Sequence, residues 1–555
     1  MQTTTQYVSG LQTDNKTPLK IAPRVWPDRV IPLLLFLFSV VYLLIFLRYS
    51  ALEPDEGIVL QGAERILRGQ LPYRDFFSFY TPGSYYLVAL LFRIFGDSFA
   101  IARFSIVIVG ALLPVMTYLT ARRGCSREIA LVTSLLTIVA GVAYRFLVLH
   151  NWYSTLLACL AVYAALRAIE THRPLWAFAT GSLCSLTVLF EQSKGTGILV
   201  GLALGFLLQR LLQRRKLFRW PELAYAAIGF VWPLALVAGY FAWNHALVAM
   251  LRDWLWPLGH YGAVNHVAYG YQNWSDRSRD LIFHSGPAWA TLVKVLVVSS
   301  GFIVPALPLV AVGSLACWTI WIWQGKVTAE KGAQHVVLSS GLTGLLLSVV
   351  LSRADIIHFM YLLPLWLVSL AWVLDANSSN GRLLASSRAG LMCFLTLSFG
   401  LMGLALLTTA AGARQITVTR RGWIRTRQTD PVIPYINAHH SSGTPLLVYP
   451  YLPLYYYLTD TQSVARLDYF QPGMNTAEQG EEIIAQLKAH PESSVLFEPS
   501  FLEKIGTSWP RTSVGVIAHD SIGNYIVHNY RVCQLLRTPS DALFEYLVSR
   551  ERGCP

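Results

Sequence analysis

Leu52-Glu53-Pro54-Asp55-Glu56-Gly57 stands a few residues past the first hydrophobic stretch of a chain that is otherwise mostly apolar. Carboxylates at a membrane surface are costly to keep ionised unless they pair or do chemistry. The pair Asp55 and Glu56 therefore marks the most informative point of the sequence. The loop it opens spans residues 49–98. From Ile58 to Leu67 the residues Ile58, Val59, Ala63, Ile66 and Leu67 recur at helical spacing, with Gln61, Glu64, Arg65 and Arg68 opposite. That pattern suits a helix lying in the interface plane. A turn through Gln70-Leu71-Pro72-Tyr73 leads to Arg74-Asp75. Pro82 to Phe95 is apolar but only 14 residues long, too short to span and suited to a second interfacial helix. The bland reading of the acidic pair is the ordinary preference of acids for the first turn of a helix.

Outward from this loop, 54% of the 555 residues are apolar and only 14% are charged, which places the chain in the polytopic membrane class. A helix crossing the hydrocarbon core needs about 20 apolar residues. Candidates fall near 30–48, 99–121, 128–149, 152–170, 174–191, 195–212, 223–243, 295–323, 334–351, 357–374 and 389–411, about eleven spans. The stretch from Trp289 to Trp323 is read as one long helix in which Pro305 and Pro308 introduce a kink. The net charge of +13 could suggest nucleic acid, but its location excludes that reading. Basic residues cluster at Lys16, Lys20, Arg24 and Arg29, at Arg122, Arg123 and Arg127, and at Arg210, Arg214, Arg215, Lys216 and Arg219. The first cluster lies ahead of the first span and the other two in short loops between spans, as the positive-inside rule expects of cytoplasmic segments.

With the N-terminal tail (1–29) inside, the opposite face collects the unusual polar groups. They are Asp55, Glu56, Arg74 and Asp75 in the first loop, His150 and Asn151, then Glu191, Gln192, Ser193 and Lys194, and finally Arg353, Asp355 and His358. Ser, Gly or Asn would satisfy hydration at such tight turns, so convergence of these groups on one face reads as a site. Each has a plainer alternative: Glu191 with Lys194, and Arg353 with Asp355, could be structural ion pairs, and His150, Asn151 and His358 ordinary turn or interfacial residues.

From about residue 412 the composition turns polar behind a basic stretch (Arg414, Arg420, Arg421, Arg425, Arg427) that on this topology lies outside, against the charge rule. Leu446–Tyr449, Ser494–Phe497, Val514–Ala518 and Tyr525–Val527 read as strands. Thr476–Lys488 reads as a helix with a capping box from Thr476 to Gln479. The alternation predicts an extracytoplasmic α/β domain over 412–555. The tyrosine-rich run Tyr449–Tyr457 suits packing better than a sugar platform. None of the seven cysteines forms a C-x-x-C pair, and Cys533 and Cys554 could bridge in an oxidising space.

The run Pro54-Asp55-Glu56-Gly57, then Leu67-x-Gly69-x-Leu71-Pro72-Tyr73, Asp75, Thr81-Pro82-Gly83-x-Tyr85-Tyr86, Phe95-Gly96 and Arg103 resembles the first outer loop of the C-type (GT-C) glycosyltransferases. The branch is similar to the protein O-mannosyltransferases and the aminoarabinose lipid A transferases. Weaker echoes occur at Glu191-Gln192-Ser193-Lys194-Gly195 and at Arg353 to His358. The resemblance implies an α-helical polytopic module over 30–411, a polyprenyl-phosphate sugar donor, inversion at the anomeric carbon, and neither cofactor nor essential metal. It places the protein in a bacterial inner membrane, acting on a lipid, glycan or protein acceptor. Asp55 is expected to be the catalytic base and Glu56 its orienter or a sugar contact. Lys194 and Arg353 are expected to hold the donor phosphate. Arg74, Asp75, Glu191, Gln192, Asp355 and His358 are expected to contact substrate. If the acceptor is itself a phosphate, no base is needed and Asp55 would position it. Gly83 departs from the pattern, standing where a second proline is common, and no residue specifies the sugar.

Two other classes compete. A transporter or lipid flippase should show repeated halves and polar groups at mid-membrane, and neither is visible. A glycan ligase or polymerase using diphosphate-linked lipids would carry its large outer loop late in the membrane part, whereas here the marked loop is the first; the outer loop Asn244–Ala288 keeps that reading open.

Overall fold

The computed structural model describes residues 25–212, 220–272, 286–376, 381–499, 501–512, 519–538 and 542–555. Among them, eight helices are long and apolar enough to cross a membrane, and Val30–Leu44, Gly83–Phe95, Pro174–Phe190 and Leu363–Asp375 are shorter apolar helices. Every expected span is helical, with local differences. The first helix, Val25–Leu44, stops before the acidic loop. The third expected span ends as helix Arg127–Ala140 followed by a 3-10 turn Val142–Arg145. The tenth is split into Ile356–Tyr361 and Leu363–Ala376. Ala288–Trp323 is one 36-residue helix with Pro305 and Pro308 inside it. Gly83–Phe95 has 13 residues, about 20 Å of helix, short of the core thickness.

Close approach of helices fixes the turns that carry polar groups. Gln192–Leu212 lies against Ala329–Ser352 through Gly197, Gly201 and Gly344, where a Cβ would run into the facing backbone. Small residues at four-residue spacing let membrane helices touch in this way. The contact holds the turn before Gln192 beside the turn after Ser352. Gly83 also has a packing reason: a Cβ there would sit 2.7 Å from the Leu189 carbonyl oxygen, so a larger residue is excluded.

Pro54–Leu67 corrects one expectation. It is a helix, but Gln61, Glu64 and Arg65 are buried along with its apolar side. The C-terminal region covers its polar face: Arg65 pairs with Asp468 at 2.7 Å, Arg421 with Glu64 at 2.8 Å, and the Gly57 position abuts the backbone of Leu454. The arginines that opposed the charge rule are largely spent in this contact. Arg421 also meets Asp97 and Asp460, Arg420 donates to backbone carbonyls of the C-terminal region, and Arg425 donates to the Ile45 carbonyl.

Beyond the last membrane helix, Gly381–Ala411, comes a hairpin of β1 (Gln415–Thr419) and β2 (Gly422–Thr426). A five-stranded sheet follows in the order β4-β3-β5-β7-β6. Strands β3 (Pro445–Tyr449), β4 (Gln462–Ser463) and β5 (Ser494–Phe497) are parallel, and β7 (Leu543–Ser549) runs antiparallel to β5 and to β6 (Tyr530–Arg537). The helix Ala477–Ala489 carries the expected capping box. Tyr525–Val527 is helical rather than extended, inside Ser521–Asn529, because Asp520 caps that helix by accepting from the Gly523 amide. Cys533 and Cys554 form a disulfide. Val514–Ala518, and the basic residues Lys16, Lys20, Arg24, Arg214, Arg215, Lys216 and Arg219, lie outside the described residues.

Candidate active site

Asp55 sits in the first turn of Pro54–Leu67 at the wall of a cavity of about 1750 Å³. The cavity lies between the cavity-side turns of the bundle, the helix Leu247–Asn265 and the C-terminal domain. Arg145 Nη2 donates to Asp55 Oδ2 at 2.7 Å and reaches Glu53 at 3.3 Å. The Tyr451 hydroxyl donates to Asp55 Oδ1 at 3.0 Å. Burial first, and then the neighbouring Asp55 carboxylate, push the Tyr451 phenol well above its ordinary value, so it keeps its proton and stays the donor. Asp55 remains about one-third exposed to the cavity.

Glu56, next in sequence, points the other way. It is fully buried and takes Arg103 as a two-pronged partner, at 2.8 and 2.6 Å, with a third bond from the Val148 amide at 3.0 Å. Arg103 itself lies over the Phe99 and Phe146 rings and donates to the Phe46 and Tyr49 carbonyls. Glu56 therefore anchors the helix start that presents Asp55, and the sugar-contact alternative is corrected: no part of it lines the cavity.

Lys194 is also corrected. It is buried, and Nζ is within 3.1 Å of the Asn151 carbonyl, Ser154 Oγ, Thr155 Oγ1 and Glu191. With three protons to give, it has none left for a phosphate, and it does not line the large cavity. Its partner Glu191 does, and also accepts from Ser154 and Asn151. Arg74 and Asp75 pair with each other at 2.8 Å away from the cavity, and Asp75 accepts from the Leu71 amide. They stabilise the turn instead of meeting substrate.

The third turn keeps its expected place. Arg353, Asp355 and His358 line the cavity together with Gln192. Arg353 bonds Asp355 at 2.5 Å, the Asn265 side chain at 3.3 Å and the Ser508 carbonyl at 2.5 Å. Asp355 caps Ile356–Tyr361 and accepts from His358 Nδ1 at 2.6 Å. Burial works against ionisation of Asp355, but His358 and Arg353 more than reverse it and hold the carboxyl well below its ordinary value. His150 lines the cavity too, against the Tyr80 ring.

Two residues that hold Asp55 escaped the sequence reading. Arg145 falls inside a stretch read as a span, and an ionisable residue there is itself a signal of function. Tyr451 belongs to the tyrosine-rich run, and nothing local distinguishes it from its neighbours. Among the described residues no group of three His, Cys, Asp or Glu side chains is arranged to hold a metal ion.

Residues 80–243 match the family described as dolichyl-phosphate-mannose-protein mannosyltransferase, a match that begins after the acidic pair. No curated protein matches the chain by sequence. Among solved structures, the chain is similar to the Archaeoglobus fulgidus oligosaccharyltransferase AglB in complex with an inhibitory peptide and a dolichol-phosphate, at 10% identity over 95% of this chain and 75% of that one, with a TM-score of 0.48. It is also similar to ArnT from Cupriavidus metallidurans bound to undecaprenyl phosphate, at 13% identity over 94% of this chain and 97% of that one, with a TM-score of 0.49. The family match covers under a third of the chain, and the first-loop motif Pro54-Asp55-Glu56-Gly57 stands ahead of it: over residues 80–243 the chain is similar to the protein O-mannosyltransferases.

Proposed function

We propose that the protein transfers a hexosyl or pentosyl group from a polyprenyl-phosphate donor to a hydroxyl of a lipid, glycan or protein acceptor, at the extracytoplasmic face of a bacterial inner membrane. The acceptor oxygen attacks the sugar C1, the bond from C1 to the phosphate oxygen breaks on the opposite side, and the polyprenyl phosphate leaves with inversion. Asp55 takes the acceptor proton, a role that requires a carboxylate within hydrogen-bond reach. Arg353, with His358 beside it, faces the charge that grows on the departing phosphate.

The observation that carries this reading is the position of Asp55, a carboxylate steadied on both oxygens yet open to a cavity with two kinds of wall. Near Asp55 the wall is polar and aromatic. Farther along, Val200, Leu255, Leu258, Leu347 and Leu351 line it and are also exposed on the outside of the bundle, so the space opens sideways into lipid, as a prenyl tail requires. The test is Asp55→Asn in purified, reconstituted protein. Transfer is expected to fall by about 10²–10⁴-fold with insertion and thermal stability kept; undiminished transfer would remove the base. Mass spectrometry of copurifying lipid, expected to find a polyprenyl monophosphate bearing one sugar, identifies the donor.

A further inference from the structure

The hairpin of β1 and β2 is built inside out. Thr417 and Thr419 are buried on its inner face, where Ile424 lies opposite Thr417, while Ile416, Val418 and Trp423 are exposed on its outer face at 65%, 71% and 41%. In a two-stranded ribbon one face packs and the other meets solvent, and the apolar side is the one expected to pack. Three large apolar side chains on the uncovered face, with threonines beneath, are adapted to something other than water.

The direction of that face can be read from its neighbours. Directly paired strand residues share a face, and Arg425 pairs with Ile416. Its guanidinium donates to the Ile45 carbonyl at 2.6 Å, just past the end of the first membrane helix. Trp423, paired with Val418, lies under the guanidinium of Arg48 at 4.5 Å, and Arg48 also donates to the Trp423 carbonyl. The hairpin turn is tied to a second span, since the Phe99 amide donates to the Arg421 carbonyl at the start of Phe99–Ala121. The exposed apolar face therefore sits level with two span ends. It continues the lipid-facing surface of the first helix, where Leu37, Val41 and Leu44 are exposed. An arginine over a tryptophan at that depth is the chemistry of the headgroup layer.

We propose that the β1–β2 hairpin is a membrane float: Ile416, Val418 and Trp423 insert into the headgroup layer of the leaflet at the cavity end, and this contact sets the depth of the catalytic cavity. The mechanical link is direct. Strand β2 runs on into Arg427, Gln428, Thr429 and Asp430, which line the cavity. The same strand bonds the segment that leads into Asp55, the Ser50 amide donating to the Arg425 carbonyl at 2.8 Å and the Arg425 amide to the Arg48 carbonyl.

The test places an environment-sensitive fluorophore on Val418→Cys and, separately, on Ile416→Cys in the full-length protein. The exposed Cys317 and Cys393 are replaced by serine, and the protein is reconstituted in phosphatidylcholine–phosphatidylglycerol nanodiscs. Leu535→Cys on β6, an exposed position on the edge strand of the other sheet, serves as the aqueous reference. Positions 416 and 418 are expected to be quenched by nitroxide lipids labelled near the headgroup and shielded from aqueous iodide, with position 535 showing the reverse. Iodide quenching at 416 and 418 equal to that at 535, with no lipid quenching, would overturn the float. A fold-disrupting label is recognised because the two positions report independently and the disc-bound protein is selected by size before measurement.

Discussion

At Asp55 two donors restrain one carboxylate without enclosing it. Arg145 takes one oxygen and Tyr451 the other, so the side chain has one orientation and still faces the cavity. Its neighbour shows the opposite solution: Glu56 spends itself on Arg103 and a backbone amide in a dry interior. The sequence marks the pair as special but cannot rank its members, because adjacent residues on a helix differ by about 100° in direction and only the packed neighbours say which way is inward. Lys194 is ambiguous in the sequence for a related reason. A lysine three residues after a glutamate reads equally well as a phosphate ligand or a partner, and burial decides. Removing one member of a buried pair strands the other, at a cost of about 3–5 kcal/mol. Lys194→Met is therefore expected to destabilise the protein by about that much, and adding Glu191→Gln to recover most of it, as read from thermal unfolding in detergent. Wild-type stability with weakened donor binding in the single variant would return Lys194 to the phosphate.

Among the elements, the long apolar helices were legible because about 20 residues of composition outvote any local exception. The short ones were not. Ser521–Asn529 has β-favouring residues in its middle, and a single cap, Asp520, settles it as helix. The buried polar face of Pro54–Leu67 was hidden for another reason, since its partners lie hundreds of residues away. That contact makes a prediction about pH. Glu64, Asp97 and Asp460 share Arg421, and Arg68 joins Glu64 and Asp460. Burial first, and then the adjacent Glu64 carboxylate, raise Asp97 to about 7 from an ordinary 3.8, against the pull of Arg421. A carboxyl raised by folding binds its proton more tightly in the folded state, so its stabilising effect is present below its ordinary value and is lost as pH climbs through about 7. The unfolding temperature is expected to fall as pH rises from about 4 to about 7 and to level off above that, and Asp97→Asn, which cannot ionise, to flatten that slope. An unchanged slope in the variant would show that another group sets the pH response of this contact.

Across the whole molecule the charges sort to two ends. One end holds Asp55, Arg145, Glu191, Arg353, His358 and the C-terminal domain around a single cavity. The other holds Arg122 and Arg123, the latter paired with Glu170, along with Arg167 and Arg127. By the positive-inside rule the second end is the one expected to be cytoplasmic, and the arginines near the hairpin that run against this expectation answer to carboxylates and carbonyls in the interface between domain and bundle. Sidedness can be tested without any substrate. Ala51 is exposed beside the acidic loop, and Glu128 is exposed on the far side of the helix Phe99–Ala121. In intact cells a membrane-impermeant thiol reagent is expected to label Ala51→Cys at once and Glu128→Cys only after permeabilisation, in a background where Cys317 and Cys393 are serine. Exchange of the two patterns would put the cavity on the cytoplasmic side and move the reaction with it. Labelling of both positions from one side would break the single-cavity arrangement itself, because the helix between them could not then cross the bilayer.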